Sequence, residues 1–245
     1  MALLELTLLL HTLTPALGDA QSRPEPTPFA STDQARQAPV QWPPGEPATR
    51  ASRALLELSA TIDATRTDTS YAHRTTVRRA QGVYHFDCSG MINWMLARAS
   101  KTALATLDRE RPVAASYVRV ISKAPTAKAR GGWQQIASIH DLEPGDIFAW
   151  RRPKHWPKSD NSGHVGIVIT RPAPVPHLVN AYVVRIVDST RWRHQDDTRA
   201  HDEDGFGMGT ILFVTDDSGG PIGYGWHGSD SSGYHETDIV FGRVH

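Results

Sequence analysis

The hydrophobic pattern changes period partway along the chain, and this change restricts the fold more than any other feature. Between residues 51 and 99 apolar side chains recur at helical spacing, and after residue 140 they alternate with a period of two. Leu55, Leu56, Leu58 and Ile62 give one helical face over residues 51–65. Met91, Ile92, Met95, Leu96 and Ala99 give a second, directly behind Phe86-Asp87-Cys88-Ser89-Gly90. A short helix is expected over residues 102–108, and residues 117–121 form an apolar run. Strands are expected over residues 147–150, 163–170, 182–187, 210–214 and 239–244, with Pro144-Gly145 as a tight turn and Asp188-Ser189-Thr190 as the stop of the third strand. The pattern predicts an α+β fold, with helices from the first half packed on one side of an antiparallel sheet.

Twenty-six basic residues balance twenty-six acidic ones, so no bulk field draws the chain to nucleic acid or an anionic membrane. A single cysteine excludes an internal disulfide framework and a cysteine-based zinc cluster. No apolar run is long enough for an integral membrane span. Residues 1–20 read as an imperfect signal peptide, with a leucine block but no preceding Lys or Arg and with Glu5 inside it. Residues 21–49 hold seven prolines, Pro24, Pro26, Pro28, Pro39, Pro43, Pro44 and Pro47, and read as an extended disordered linker. The folded unit is expected over residues 50–245. Export to the periplasm or outside follows if the leader is real; a cytoplasmic protein follows if it is not. A monomer is expected.

Asp87 and Ser89 are residue types that cap a helix start, which places Cys88 in the first turn. Free backbone N–H groups and the positive end of the helix dipole stabilise a thiolate there, and the thiolate is the attacking form of cysteine. Attack on a carbonyl also needs a histidine to carry the proton and a polar group to orient the ring. His164 opens the most regular strand, where a ring can face a helix end; a water-facing strand-end histidine fits the same position. His85 and His177 lie off the expected rigid elements. Asp188, at the end of the next strand, can approach His164 or cap its own turn.

Three blocks, Asp87-Cys88-Ser89-Gly90, Leu142-Glu143-Pro144-Gly145-Asp146-Ile147 and Gly163-His164-Val165-Gly166-Ile167, together resemble the NlpC/P60 family of cysteine peptidases, in the family's order. The resemblance spans residues 71–244. It implies a papain-like core of helices on a small antiparallel sheet, no cofactor and no metal. It also implies hydrolysis of peptidoglycan stem peptides, commonly between a γ-linked D-glutamyl group and a diamino acid. By position Cys88 is the nucleophile, His164 the base and Asp188 the third residue, where many members carry histidine or asparagine. Tyr71, with Tyr84 as the alternative, matches the tyrosine that helps hold the oxyanion, and Asp87 and Ser89 flank the nucleophile on the substrate side. The segment 100–140 is longer than in simpler members, and the stretch beyond residue 205 lies outside the minimal pattern.

Two other readings fit the same residues: a non-catalytic wall-binding module, and a thiol amidase or acyltransferase with another substrate. The loop 194–204, rich in Asp and His, reads as solvated, because its spacing fits no zinc or calcium loop. Trp133, Trp150, Trp156, Trp192 and Trp226 are candidates for core packing or for a sugar-binding cleft.

Overall fold

The computed structural model describes residues 27–28, 46–107, 110–157 and 159–245. The expected leader and most of the proline-rich linker lie outside the described residues. In chain order the elements are β1 (Thr27–Pro28), α1 (Arg50–Thr65), β2 (Asp68–Ser70), β3 (Thr76–Arg78), β4 (Val83–His85), α2 (Cys88–Ala99), α3 (Lys101–Ala105) and α4 (Ala114–Ile121). They continue with β5 (Trp133–Ile136), β6 (Ile147–Arg151), β7 (Gly163–Val168), β8 (Ala173–Pro174) and β9 (Ala181–Thr190). The last are β10 (Gly205–Thr215), β11 (Pro221–Gly225), β12 (Gly233–Glu236) and β13 (Ile239–Val244). No helix among the described residues is long and apolar enough to cross a membrane.

The expected papain-like core, helices on a small sheet, is not what forms. A ten-stranded sheet dominates, in the order β1-β12-β11-β10-β9-β7-β6-β13-β5 with β8 added beside β9, and its strand pairs are antiparallel. The stretch from residue 205 on, outside the family's minimal pattern, supplies the long β10 and the added β11 and β12. The pairing of β9 with β10 alone runs over ten residue pairs, Gly205 to Val214 against Thr190 to Ala181. β2, β4 and β3 make a separate small sheet ahead of α2.

The large sheet buries both faces. Ile147, Ala149, Val165, Ile167 and Val187 point toward the helices and meet Leu55, Met91, Ile92, Tyr117 and Val118. The alternate residues Phe148 and Trp150 point the other way, as a period of two requires. β6 and β10 are three strands apart, about 14 Å in a flat sheet, yet the rings of Phe148 and Phe213 lie 5.7 Å apart. Trp150 on β6 stacks on Tyr224 of β11 at 4.1 Å. The sheet therefore curls back on itself, and this aromatic cluster fills its concave side.

Local chemistry ties the helices to the sheet. The Thr49 hydroxyl caps α1 by accepting from Ser52 N at 2.9 Å, and donates to Val244 O of β13 at 2.6 Å. Asp146, fully buried at the start of β6, receives two hydrogen bonds from Arg243 at 2.9 and 2.8 Å. Burial raises the Asp146 carboxyl above its ordinary range, against the pull of Arg243. Residues 117–121, read only as an apolar run, are the end of α4, which packs on β6, β7 and β13.

Candidate active site

α2 begins at Cys88. Asp87 is its N-cap, and Asp87 Oδ1 accepts from Gly90 N at 2.7 Å and from Ser89 Oγ at 2.9 Å. Cys88 thus holds the first helical position, where a backbone N–H has no acceptor within the helix. The Ser89 hydroxyl is spent on the cap. The other oxygen of Asp87 faces His73 at 3.1 Å and the guanidinium of Arg111.

His164 stands second in β7, opposite Trp150 of β6. Gly163 before it has φ +132, and a Cβ there would come within 1.8 Å of the Trp150 carbonyl oxygen. Only glycine lets β7 begin so close to β6. His164 Nε2 bonds Asp188 Oδ2 at 2.7 Å. Cys88 lies near enough to act on the same ring both by its charge and by side-chain hydrogen bonding. Burial pulls the His164 imidazolium down, but negative charge at Cys88, hydrogen bonds to Asp188 and Cys88, and the charge of Asp188 outweigh it, and His164 is pushed up to about 9.

The strand carrying Asp188 does not stop at residue 187 as expected. β9 continues to Thr190, so alternation sends Asp188 to the concave side and Ser189 to the helical side. Asp188 is no turn cap. Its Oδ2 also faces His194 Nε2 at 2.8 Å, and its Oδ1 takes a hydrogen bond from Arg199. Burial opposes its charge, but His194, Arg199 and the hydrogen bonds of both histidines hold its carboxyl well below the usual range.

The loop 194–204 is not a purely solvated one, which corrects the sequence reading. His194 and Arg199 are buried, while Asp196 and His201 stay outside. Residues 194–199 fold back along β10, with Thr210 N on Gln195 O and Thr198 N on Met208 O, both at 2.8 Å. Arg199 reaches Asp197 Oδ2 at 2.7 Å and Gly205 O at 2.9 Å. The signal that could have revealed them is the alternation Gly207, Gly209 in β10. A Cβ on Gly207 would lie 2.5 Å from Arg199 Nε, and one on Gly209 2.5 Å from His194 Cβ. Alternate glycines in a strand mark a close approach by something else.

A cleft of about 370 Å³ lies over Cys88, lined by Tyr71, His73, Arg111, Arg191 and Trp192 among others. An aromatic recess adjoins it at His164, lined by Trp150, Trp156, Tyr224 and Trp226. Tyr71, Asn161, Gly163 and Trp192 line both, so one groove crosses the Cys88–His164 pair. Trp133 is instead core, donating from Nε1 to Ala103 O at 3.0 Å. Of the two tyrosines, Tyr71 is the one on the groove. Burial raises its phenol far above the ordinary range, Cys88 and Asp87 add to this and Arg191 opposes it, so it stays a donor. Tyr84 is buried and its hydroxyl bonds Thr65 Oγ1 at 2.9 Å.

His164, Asp188 and His194 offer three ligand-type atoms within 4.8 Å of one another. Those atoms already hydrogen-bond each other, and the Arg199 guanidinium on the same carboxylate repels a further cation. The donor set therefore fits a hydrogen-bonded relay better than a metal.

No protein-family model matches the chain, so the likeness to NlpC/P60 peptidases in three short blocks finds no support there, and no solved structure matches it. Over 180 residues the chain is 31% identical to the uncharacterized protein R653 of Acanthamoeba polyphaga mimivirus, a match covering 64% of this chain and 77% of the viral protein. At that identity and coverage, the chain belongs to the family of this uncharacterized viral protein.

Proposed function

We propose that the protein is a thiol-dependent hydrolase of amide bonds. The observation that supports it best is the buried bond from His164 to Asp188 on a ring that also feels Cys88, which stands at the head of a helix and on the adjoining groove. In this reading the Cys88 thiolate attacks the carbonyl carbon and forms the C–S bond. The oxyanion is met by the Cys88 N–H and the Tyr71 hydroxyl. His164, protonated at Nδ1, gives that proton to the leaving amine as the C–N bond breaks. It then takes a proton from water, whose oxygen attacks the thioester. The acid departs, and the sulfur is restored beside a protonated His164. Asp188 receives Nε2–H throughout and fixes the ring's orientation.

The substrate class proposed is the stem peptide of peptidoglycan, on the sequence resemblance alone. An amine in place of water would make the same site an acyltransferase. Mass spectrometry of products from purified cell wall and from a panel of γ-glutamyl amides, with the full chain beside its Cys88→Ala variant, tests the reading. New termini that depend on Cys88 support it. Identical products from both proteins would remove the thiol mechanism, and release only from a non-wall amide would remove the substrate class.

A further inference from the structure

His194 is the buried side chain whose surroundings the triad does not explain. Its Nε2 lies 2.8 Å from Asp188 Oδ2 and its Nδ1 lies 3.1 Å from the carbonyl oxygen of Trp226. A carbonyl oxygen only accepts, and an ionised carboxylate only accepts. Both nitrogens must then carry protons for both bonds to exist, and a ring with two N–H groups is a cation. The indole of Trp226 lies 4.2 Å from the imidazole at 35° between planes, an arrangement that favours a cation over a neutral ring.

Charged and titratable groups reach the ring from several elements. β9 presents Asp188, and β7 presents His164 on the same carboxylate oxygen. The loop presents Asp197, whose Oδ2 accepts from His194 N at 2.8 Å, and Arg199, paired to both aspartates. β10 presents Gly209, which has no side chain, and the segment after β11 presents Trp226. The Cys88–His164 pair is neutral as a unit wherever its proton sits, so the two carboxylates are left facing Arg199 and the His194 imidazole. With His194 charged the group is neutral, as burial demands.

We infer that His194 is a positioning residue, a buried imidazolium that shares Asp188 with His164, holds the carboxylate in place and limits how strongly it favours the charged form of His164. Its kinetic consequence rests on the hydrolase reading; its protonation does not. Removing the charge while keeping a donor, as in His194→Gln, makes the field at His164 and Cys88 more negative. The imidazolium then persists to higher pH and the thiolate forms at higher pH, so both limbs of the activity profile move upward.

The test has two measurements. In full-length Cys88→Ala protein labelled with ¹⁵N at histidine, both ring nitrogens of His194 are expected to be protonated at neutral pH. In His194→Gln, the pH curve for alkylation of Cys88 by iodoacetamide is expected to move up by about one unit. A ring nitrogen of His194 without a proton would overturn the inference, whether or not the glutamine variant folds. So would an unmoved alkylation curve in a folded glutamine variant, which would leave His194 a merely structural donor. Two protonated nitrogens in a protein without hydrolase activity would sink the hydrolase reading and leave the protonation standing.

Discussion

The hydroxyl of Ser189 donates to the carbonyl oxygen of Phe86 at 2.6 Å, between residues 103 apart in the chain. Phe86 directly precedes the cap of the cysteine helix, and Ser189 directly follows the aspartate that holds the histidine. One buried hydrogen bond therefore ties the start of the nucleophile's helix to the strand of the relay. Replacing Ser189 by alanine leaves the Phe86 carbonyl without this donor. We expect a loss of about 1–3 kcal/mol of stability, read by urea unfolding, and a larger fall in kcat than in substrate affinity.

Sequence alone allows Asp188 two roles, orienting His164 or capping its own turn. Its place among His164, His194 and Arg199 predicts a larger one. Asp188→Asn leaves buried cations without their counter-charge, and should cost about 3–5 kcal/mol as well as turnover. A folded Asp188→Asn protein of unchanged melting temperature would contradict the network.

The pH dependence follows from two shifts of opposite sign. Asp188 is held below the carboxylate range, so its contribution to stability is present above the ordinary carboxylate pKa and is lost as pH falls through the depressed value. His164 is raised to about 9, so its contribution is present below the ordinary histidine range and fades as pH rises through about 9. Activity should show an alkaline limb near this value. In Cys88→Ala, which lacks the thiolate charge, NMR titration should find His164 losing its proton at lower pH than in the wild type.

Tyr71 lies on the groove and stays protonated, which suits a donor to a developing oxyanion. Tyr71→Phe should lower kcat by about 10²-fold while leaving alkylation of Cys88 nearly unchanged. Equal loss in both measurements would assign Tyr71 to shaping the thiol instead.

Much of the helical half was legible because its signals are local. Asp87 as a cap and the spacing from Met91 to Ala99 place Cys88 at a helix start without any long-range information. His164 was legible as a strand opener, although nothing local says what its ring faces. The sheet's extent was hidden. β11 and β12 are short and rich in Gly, Tyr and His, with little apolar alternation. The curl was hidden as well, because contacts such as Trp150 with Tyr224 join distant strands. Arg199 and His194 were misread because charged residues in a loop usually stay in water. Their burial depends on the space left by Gly207 and Gly209, a signal that lies in a different element.

The central claim is a thiolate held by the His164 imidazolium, and the solitary cysteine makes it directly measurable. The rate of iodoacetamide modification should be followed against pH in the wild type and in His164→Gln. Fast reaction at neutral pH is expected in the wild type, and a much slower reaction in the variant, whose curve should lie at higher pH than the wild type's. Superimposable curves from the two folded proteins would contradict it.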